Sequence, residues 1–287
     1  MWTCGPQGHF GCGPVGPKAT SVVDLAAHAH FGCGPVGPKA VTGGGTLGWA
    51  VARAALLAVI SRGVYRGTRP AMMGGMGELI LLRHGETEWS RDGRHTGRTD
   101  IPLTPKGVSG AAALAPMVMQ RVAGQPIVAV FTSPAQRAVK TAELAGLGGP
   151  GVPGFDGGPA PRQDPDLWEW DYGGYEGITT AEIQAGRPGW FLWRDGVIPG
   201  DAQHPGESAA QVGERVDRVL KRVAALLPEG DVALVAHGHV LRVLTARFLG
   251  LAPEGGRLFK LDTGTISTLG DEHAEPVILT WNVPPPS

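Results

Sequence analysis

Three stretches of this chain place basic residues directly after apolar segments, where they could bind and attack a phosphate group. The first is the run from Leu79 to Leu82, which is followed by Arg83 and His84. An arginine neutralises an incoming phosphate, and a histidine with one unprotonated nitrogen can act as the nucleophile. Gly85 lets the backbone come close, and Thr87 adds a hydroxyl. This stretch predicts an anion site beside a nucleophile.

The other two stretches carry Arg137 and His237. Ser133-Pro134-Ala135-Gln136-Arg137 follows the apolar run 127–131, and His237 follows the run 232–236. Ligands of open α/β sheets bind at the carboxyl ends of the strands, so we expect these residues to meet Arg83 and His84. A cation in the first turn of a helix is unfavourable by roughly 0.3–1 kcal/mol unless an anion binds there. The alternative for Arg137 is an arginine that covers the sheet or pairs with Glu143.

The elements that must position these residues alternate between apolar strands and amphipathic helices. This pattern predicts an α/β fold in which a mostly parallel sheet is sandwiched between helices. Strands are expected at 78–82, 127–131 and 232–236, with edge strands at 266–269 and 277–279. Helices are expected at 108–122 after Thr104-Pro105, from Ser133-Pro134 to about residue 145, at 209–227 and at 240–248. Residues 146–161 include eleven Gly or Pro and predict a loop.

The amino-terminal part differs in composition from the rest. The stretch 9–19 returns word for word as 30–40, and we expect residues 1–75 to be a disordered low-complexity segment before a folded domain at 76–287. A zinc site is the alternative, and its ligands would be His9, Cys12, His30 and Cys33. The apolar run 54–60 is too short to span a bilayer. Translation is expected to begin at Met72, Met73 or Met76.

Charge and cysteine content exclude several function classes for the predicted domain. Residues 1–76 carry six Lys or Arg against one acidic residue, which leaves a formal charge of −6 on the remainder. Such a domain does not bind nucleic acid through its net field. All three cysteines precede Met76, so thiolate catalysis and disulfides are excluded from the domain. We expect a cytoplasmic protein without membrane or nucleic-acid partners, and a homodimer is compatible with the sequence.

Four spaced motifs carry a resemblance to a known family. They are Leu82-Arg83-His84-Gly85-Glu86-Thr87, Thr96-Gly97, Ser133-Pro134-Ala135-Gln136-Arg137 with Thr141-Ala142, and Ala236-His237-Gly238. Over about residues 77–287 the chain resembles branch 1 of the histidine phosphatase superfamily, the phosphoglycerate mutase-like family. The resemblance implies a phosphohistidine on His84, with Arg83, Arg137 and His237 stabilising the transferred charge, and no metal or other cofactor.

The same resemblance points to a proton donor at Glu169, within the stretch 167–177. On sequence alone, Asp171 and Glu176 are rivals for this role. Ser90 stands where many relatives have an asparagine that contacts the substrate. Further positions expected to bind the substrate or its phosphate are Thr87, Thr96, Gly97, Gly238 and His239.

Hydrolysis is the predicted chemistry. Phosphoglycerate mutases of the superfamily have a long insertion with substrate-binding arginines, whereas only residues 178–205 fill this place here, without an Arg-Arg pair. The motifs resemble acid phosphatases and sedoheptulose-bisphosphatase-like members, which implies a small sugar phosphate as substrate. The alternatives are a 2,3-bisphosphoglycerate-dependent mutase and a non-catalytic module that binds a phosphorylated ligand. His237 and His239 could be metal ligands, but the domain sequence has no Asp/His cluster to complete a site, so no metal is expected. The aromatic residues at 168–193 could form a lid, although packing as core is the preferred interpretation for most of them.

Overall fold

The computed structural model describes residues 76–122, 124–148 and 158–286. Its centre is a six-stranded sheet in the order β3-β2-β4-β1-β5-β6. The strands are β1 (Leu79–Arg83), β2 (Ile127–Thr132), β3 (Arg162–Gln163), β4 (Asp231–Ala236), β5 (Ile266–Glu272) and β6 (Glu275–Val283). The first four are parallel to one another, whereas β5 pairs antiparallel with β1 and β6 antiparallel with β5. The expected α/β fold with a mostly parallel sheet is confirmed.

Eight α-helices are found in the described part of the chain. They are α1 (Glu88–Asp92), α2 (Pro105–Ala112), α3 (Ala115–Val122), α4 (Gln136–Ala142), α5 (Thr180–Gly186), α6 (Leu192–Asp195), α7 (Ala209–Ala224) and α8 (Gly238–Phe248). Alternate side chains of β1 point to opposite faces of the sheet. Leu79 and Leu81 pack into one core with α7 and α8, and Ile80 and Leu82 pack into a second core with α3 and α4. Two helical layers therefore cover the sheet and leave its carboxyl edge for the site.

Several predicted helix boundaries were wrong. The helix expected at 108–122 is two helices separated by a turn at Ala113 and Leu114, and the helix expected to reach residue 227 ends at Ala224. Helix α4 continues as a π-helical turn, Glu143–Leu147, in which Gly146 has a left-handed φ of 80° that interrupts the helical backbone, so the predicted helix end near residue 145 is confirmed. The two-residue strand β3 was not predicted, because so short a strand has no readable alternation.

The predicted start of helix α4 was also wrong. Its N-cap is Ala135, which makes no side-chain cap, whereas Ser133-Pro134 had been expected to cap the helix. The carboxylate of Asp100 instead accepts the backbone N–H of Gln136 at 2.9 Å. A carboxylate from a distant loop thus satisfies one of the free N–H groups at the helix start. Ser133 is left available for a different contact, with His237.

The predictions for the amino-terminal segment lie outside the described residues. These are the disorder of residues 1–75, the repeat at 9–19 and 30–40, the alternative zinc site and the apolar run 54–60. Across the described ranges, no helix combines the length and apolar character that crossing a membrane requires.

Candidate active site

His84 lies immediately after β1 and is almost completely buried. Its Nδ1 lies 2.7 Å from the carbonyl oxygen of Gly85, a contact in which Nδ1–H donates. This bond places the ring proton on Nδ1 and leaves the lone pair of Nε2 free, since the described residues offer Nε2 no hydrogen bond. Burial, and then the nearby cations of Arg137 and Arg83, hold the pKa of His84 well below its usual range. The ring is therefore neutral and held in a fixed tautomer.

The backbone around His84 is fixed by close packing. Gly85 donates its N–H to Thr141 Oγ1 at 3.0 Å, which ties the loop to helix α4. A Cβ atom on Gly85 would lie 2.5 Å from the carbonyl oxygen of Gly107 in α2. Only glycine allows this approach, so Gly85 serves packing as well as the orientation of His84.

Arg137 is fully buried in the first turn of α4, next to His84 and His237. Its Nε donates to His237 Nδ1 at 3.2 Å, Nη1 to the carbonyl of Thr99 at 2.9 Å and Nη2 to that of Gly97 at 3.1 Å. Within the described residues, one N–H on each Nη is left without a hydrogen bond, which leaves a fork suited to a phosphate. The alternative pairing with Glu143 does not occur, because Glu143 pairs with Lys140.

His237 follows β4 and lies edge-on to His84, with ring centroids 5.1 Å apart. Both its nitrogens are engaged: Nδ1 accepts from Arg137, and Nε2–H donates to Ser133 Oγ at 2.7 Å. Burial and the adjacent Arg137 hold the pKa of His237 well below its usual range. Neither nitrogen is therefore free to bind a metal in this arrangement. The three strand ends meet as the parallel sheet requires.

Arg83 is the second arginine near His84, after Arg137. Its Nη1 donates to the carbonyl of Leu261, while its buried Nε has no hydrogen-bond partner among the described residues. Gly238, at the first position of α8, packs against the guanidinium: a Cβ there would lie 3.1 Å from Arg83 Cζ. A buried N–H without a partner costs about 1–3 kcal/mol, a cost that a bound anion removes.

Glu169 lies at the amino terminus of helix α8. Its Oε1 accepts the backbone N–H groups of Trp170 at 2.9 Å and Val240 at 2.8 Å, and Oε2 accepts that of His239 at 2.9 Å. The carboxylate thus caps a helix that has no side-chain cap of its own. Glu169 also interacts electrostatically with Arg83 and Arg137, which places its carboxylate near both cations.

The two rival carboxylates make different contacts. Asp171 Oδ1 accepts the N–H groups of Gly173 and Gly206 at 3.0 and 3.1 Å. Glu176 accepts the N–H of Gly97 at 2.9 Å and that of Thr99 at 3.1 Å, the two residues whose carbonyls hold Arg137. Both carboxylates organise loops, and the contacts of Glu176 link it to the orientation of Arg137.

The remaining predicted binding residues contact mainly their own loops. Thr87 Oγ1 and Ser90 Oγ form a reciprocal capping box at the start of α1. Among the described contacts, neither hydroxyl binds Arg83 or Arg137. Thr96 Oγ1 donates to the carbonyl of Arg94 at 3.2 Å. His239 Nδ1 lies 2.7 Å from the hydroxyl of Tyr172. Of this group, Gly97 and Gly238 are the positions with direct contacts to the site arginines.

Sequence reasoning missed one pair of residues, Arg215 and Glu207. Arg215 is buried in α7, and all five of its N–H groups find acceptors. Two bonds go to the carboxylate of Glu207 at 2.8 and 3.0 Å, and the other three go to the carbonyls of Asp166, Trp168 and Glu169. We call this set the Arg215 clamp. It fixes the backbone of the segment that presents Glu169.

The aromatic residues of this region mostly pack as core. Trp170, Tyr172, Tyr175, Trp190 and Trp193 are buried, and Trp170 meets Trp193 edge-on with ring centroids 5.5 Å apart. Phe191 is exposed and Trp168 is partly exposed. His95, which had no predicted role, lies against Tyr172 and Trp190, and burial lowers its pKa to about 4.

Comparison with known families and proteins agrees with this geometry. A family model described as histidine phosphatase superfamily (branch 1) matches residues 79–284. An acid phosphatase of Mycobacterium tuberculosis is 38% identical over 195 residues, which cover 68% of this chain and 87% of that protein. A sedoheptulose 1,7-bisphosphatase of Saccharomyces cerevisiae is 37% identical over 194 residues, which cover 60% of this chain and 67% of that protein.

Solved structures share the fold. The structure of an open reading frame from Mycobacterium tuberculosis superposes with a TM-score of 0.64 at 33% identity and covers 73% of this chain and 99% of its own. A mycobacterial glucosyl-3-phosphoglycerate phosphatase complexed with VO3 gives a TM-score of 0.59 at 28% identity, with 72% and 99% covered.

Proposed function

Because the chain belongs to branch 1 of the histidine phosphatase superfamily and is a phosphoric monoester hydrolase, we propose that it works through a phosphohistidine on His84. The observation that carries this proposal is the state of His84 itself. The ring is neutral, its proton is held on Nδ1 by Gly85, and Nε2 is left as the nucleophile. A neutral, oriented imidazole beside two arginines is what attack on a phosphorus atom requires.

In the proposed first step, the lone pair of His84 Nε2 forms a bond to phosphorus as the ester P–O bond breaks. Arg83 and Arg137 stabilise the charge on the three equatorial oxygens, and the hydrogen bond that Arg137 Nε donates to His237 Nδ1 keeps Arg137 oriented. The hydrogen bond to Gly85 stabilises the positive charge that develops on the imidazole.

Glu169 supplies the proton for the leaving oxygen. Of its two carboxylate oxygens, Oε1 accepts two hydrogen bonds and Oε2 one, so Oε2 keeps a lone pair that can carry the proton. In the second step, Glu169 takes a proton from water as the water attacks phosphorus, and the N–P bond breaks. Inorganic phosphate leaves, and His84 returns to its initial state.

We propose a small phosphorylated metabolite as the substrate, in particular a sugar phosphate. This rests on relatives named acid phosphatase, sedoheptulose 1,7-bisphosphatase and glucosyl-3-phosphoglycerate phosphatase. The mutase alternative is weaker because residues 178–205, which follow the stretch 167–177, contain only the short helix α5 and the single turn α6. This is shorter than the insertion expected for a mutase. We place the protein in the cytoplasm, without nucleic-acid partners, with residues 76–287 as the catalytic domain. A homodimer is compatible with this assignment.

The test is a hydrolysis screen over phosphorylated sugars and glycolytic acids in the presence of a metal chelator. Wild type should release phosphate, and His84→Ala should lose at least about a thousandfold in kcat/KM, because the nucleophile is gone. The matched control is His273→Ala, which removes an exposed histidine from the β5–β6 turn and should retain full activity. Undiminished hydrolysis by His84→Ala would overturn the proposal.

A further inference from the structure

A cleft of about 680 Å³ adjoins the phosphate site, and its most unusual feature is Arg98. The cleft is lined by Arg98, Thr99, Trp168, Asp171 and residues 202–205. Arg98 lies between Gly97 and Thr99, whose carbonyls hold Arg137, and Trp168 precedes Glu169. Thr99, which lines the cleft, accepts Arg137 Nη1 at 2.9 Å through its carbonyl, and Trp168 is the residue before Glu169, so the cleft lies next to both groups.

Arg98 lines this cleft and has side-chain N–H groups that are not hydrogen-bonded to the described residues. Its guanidinium lies over the Trp168 ring, 5.4 Å from the centroid, and its Nε is 3.8 Å from Asp171 Oδ2. In the ranges that the structure describes, Arg98 makes no hydrogen bond. The indole restricts the orientation of the guanidinium while leaving its N–H groups unused.

The acidic groups around the cleft are already engaged. Asp171 is almost completely buried, and its Oδ1 accepts two backbone N–H groups, which offsets part of its charge. Asp201 is bound to His204 Nδ1 at 3.0 Å and to the backbone N–H groups of Gln203 and His204. Arg98 forms an ion pair with Asp171 Oδ2, but its 3.8 Å separation is longer than a hydrogen bond, so within the described cleft the N–H groups of Arg98 remain free for an incoming anion.

We propose that the Arg98 cleft binds the leaving group of a phosphomonoester that carries a second anionic group, and that Arg98 holds that group. This proposal rests on the proposed function, since it assigns the part of the substrate that His84 does not attack. A carboxylate and a second phosphate share the chemistry that an arginine fork recognises. The substrate class is thus a doubly anionic metabolite, either a phosphorylated carboxylic acid or a sugar bisphosphate.

The experiment compares Arg98→Gln with wild type on two matched substrate pairs. The pair 3-phosphoglycerate and glycerol 3-phosphate differs in a carboxylate, and the pair fructose 1,6-bisphosphate and fructose 6-phosphate differs in a second phosphate. We expect Arg98→Gln to lower kcat/KM by about 10- to 100-fold for the doubly anionic member of at least one pair, mainly through KM. The singly anionic partner should change by less than about threefold, because it does not contact Arg98. The pair that responds identifies the second anion.

Arg257→Gln is the matched control, because it removes an equal charge from an exposed position in the turn Pro253–Leu258. An equal effect of Arg98→Gln on both members of each pair, or no effect on any substrate, would overturn the proposal. Hydrolysis of p-nitrophenyl phosphate, compared between wild type and His84→Ala, tests the proposed function separately. A failure of the Arg98 assignment can therefore be distinguished from a failure of the reaction mechanism.

Discussion

The Arg215 clamp predicts that a residue without any contact to the phosphate site controls protonation of the leaving group. The substitution Arg215→Lys keeps the positive charge beside Glu207 but replaces five fixed N–H donors by at most three. At least two of the five hydrogen bonds must be lost, and a lysine that keeps its pairing with Glu207 can bind at most two of the three carbonyls in the segment from Asp166 to Glu169. With about 1.5–3 kcal/mol for each charge-assisted bond and partial replacement by water, we expect a loss of about 2–4 kcal/mol in unfolding free energy.

A protein of ordinary stability, about 5–15 kcal/mol, remains folded after such a loss, so its kinetics can be measured. Displacement of Glu169 by about 1 Å should lower kcat/KM for glycerol 3-phosphate by about 100-fold, or about 2.7 kcal/mol in activation free energy. The kcat/KM for p-nitrophenyl phosphate should fall much less, because p-nitrophenolate leaves without a proton. Since kcat/KM reports steps up to phosphoryl transfer, slow hydrolysis of the phosphoenzyme does not obscure the comparison.

The control for this prediction is Arg218→Lys. Arg218 lies one turn further along α7 and binds the side chain of Asp166 at an exposed position, so its replacement should cost less than about 1 kcal/mol. Arg218→Lys should leave kcat/KM unchanged for both glycerol 3-phosphate and p-nitrophenyl phosphate. A folded Arg215→Lys enzyme with the wild-type ratio between the two substrates would refute the clamp as the device that positions Glu169.

Three more predictions follow from single contacts. Gly238→Ala places a Cβ 3.1 Å from Arg83 Cζ and should raise KM for every phosphomonoester by about three- to tenfold, with the melting temperature nearly unchanged; a wild-type KM would contradict it. Glu176→Ala frees the loop that holds Arg137 and should lower kcat/KM about tenfold for good and poor leaving groups alike; a loss confined to poor leaving groups would make Glu176 the acid. The pKa of His95 falls from about 6.5 in the unfolded chain to about 4 in the fold, so its contribution to stability is complete above pH 6.5 and is lost as pH falls toward 4. His95→Phe should therefore flatten the loss of unfolding free energy between pH 6 and pH 4.5 by up to about 1.4 kcal/mol per pH unit, measured by denaturant titration; an unchanged slope would contradict it.

The meeting of Arg83, His84, Arg137 and His237 could be predicted from sequence because it depends only on strand order and direction. Apolar runs followed by basic residues identify strand ends, and parallel strands bring those ends to one edge. The choice of Glu169 over Asp171 and Glu176 could not be made this way. Glu169 is distinguished by its contact with the start of α8, about 70 residues further along the chain, and no local pattern reports such a pairing.

The start of helix α4 and the Arg215 clamp show the same limit. Ser133 and Pro134 form a good local capping signal, but the carboxylate of Asp100 reaches the helix from another loop and takes that role. The position of Arg215 could have been recognised from the sequence, because it lies three residues after Val212 and four before Val219, on the buried stripe of α7. A charged residue on an apolar stripe requires a buried partner, although the sequence does not say which residue it is.

The central claim is that His84 carries the phosphoryl group during turnover. The direct measurement is to mix the enzyme with substrate, quench in alkali, in which phosphohistidine survives, and locate the phosphate on peptides by mass spectrometry. We predict phosphate on the peptide that contains His84, formed and lost at rates consistent with kcat, and a larger fraction in Glu169→Gln because hydrolysis of the intermediate is slowed. Phosphate found on His237, or full turnover with no phosphate on His84, would contradict the account.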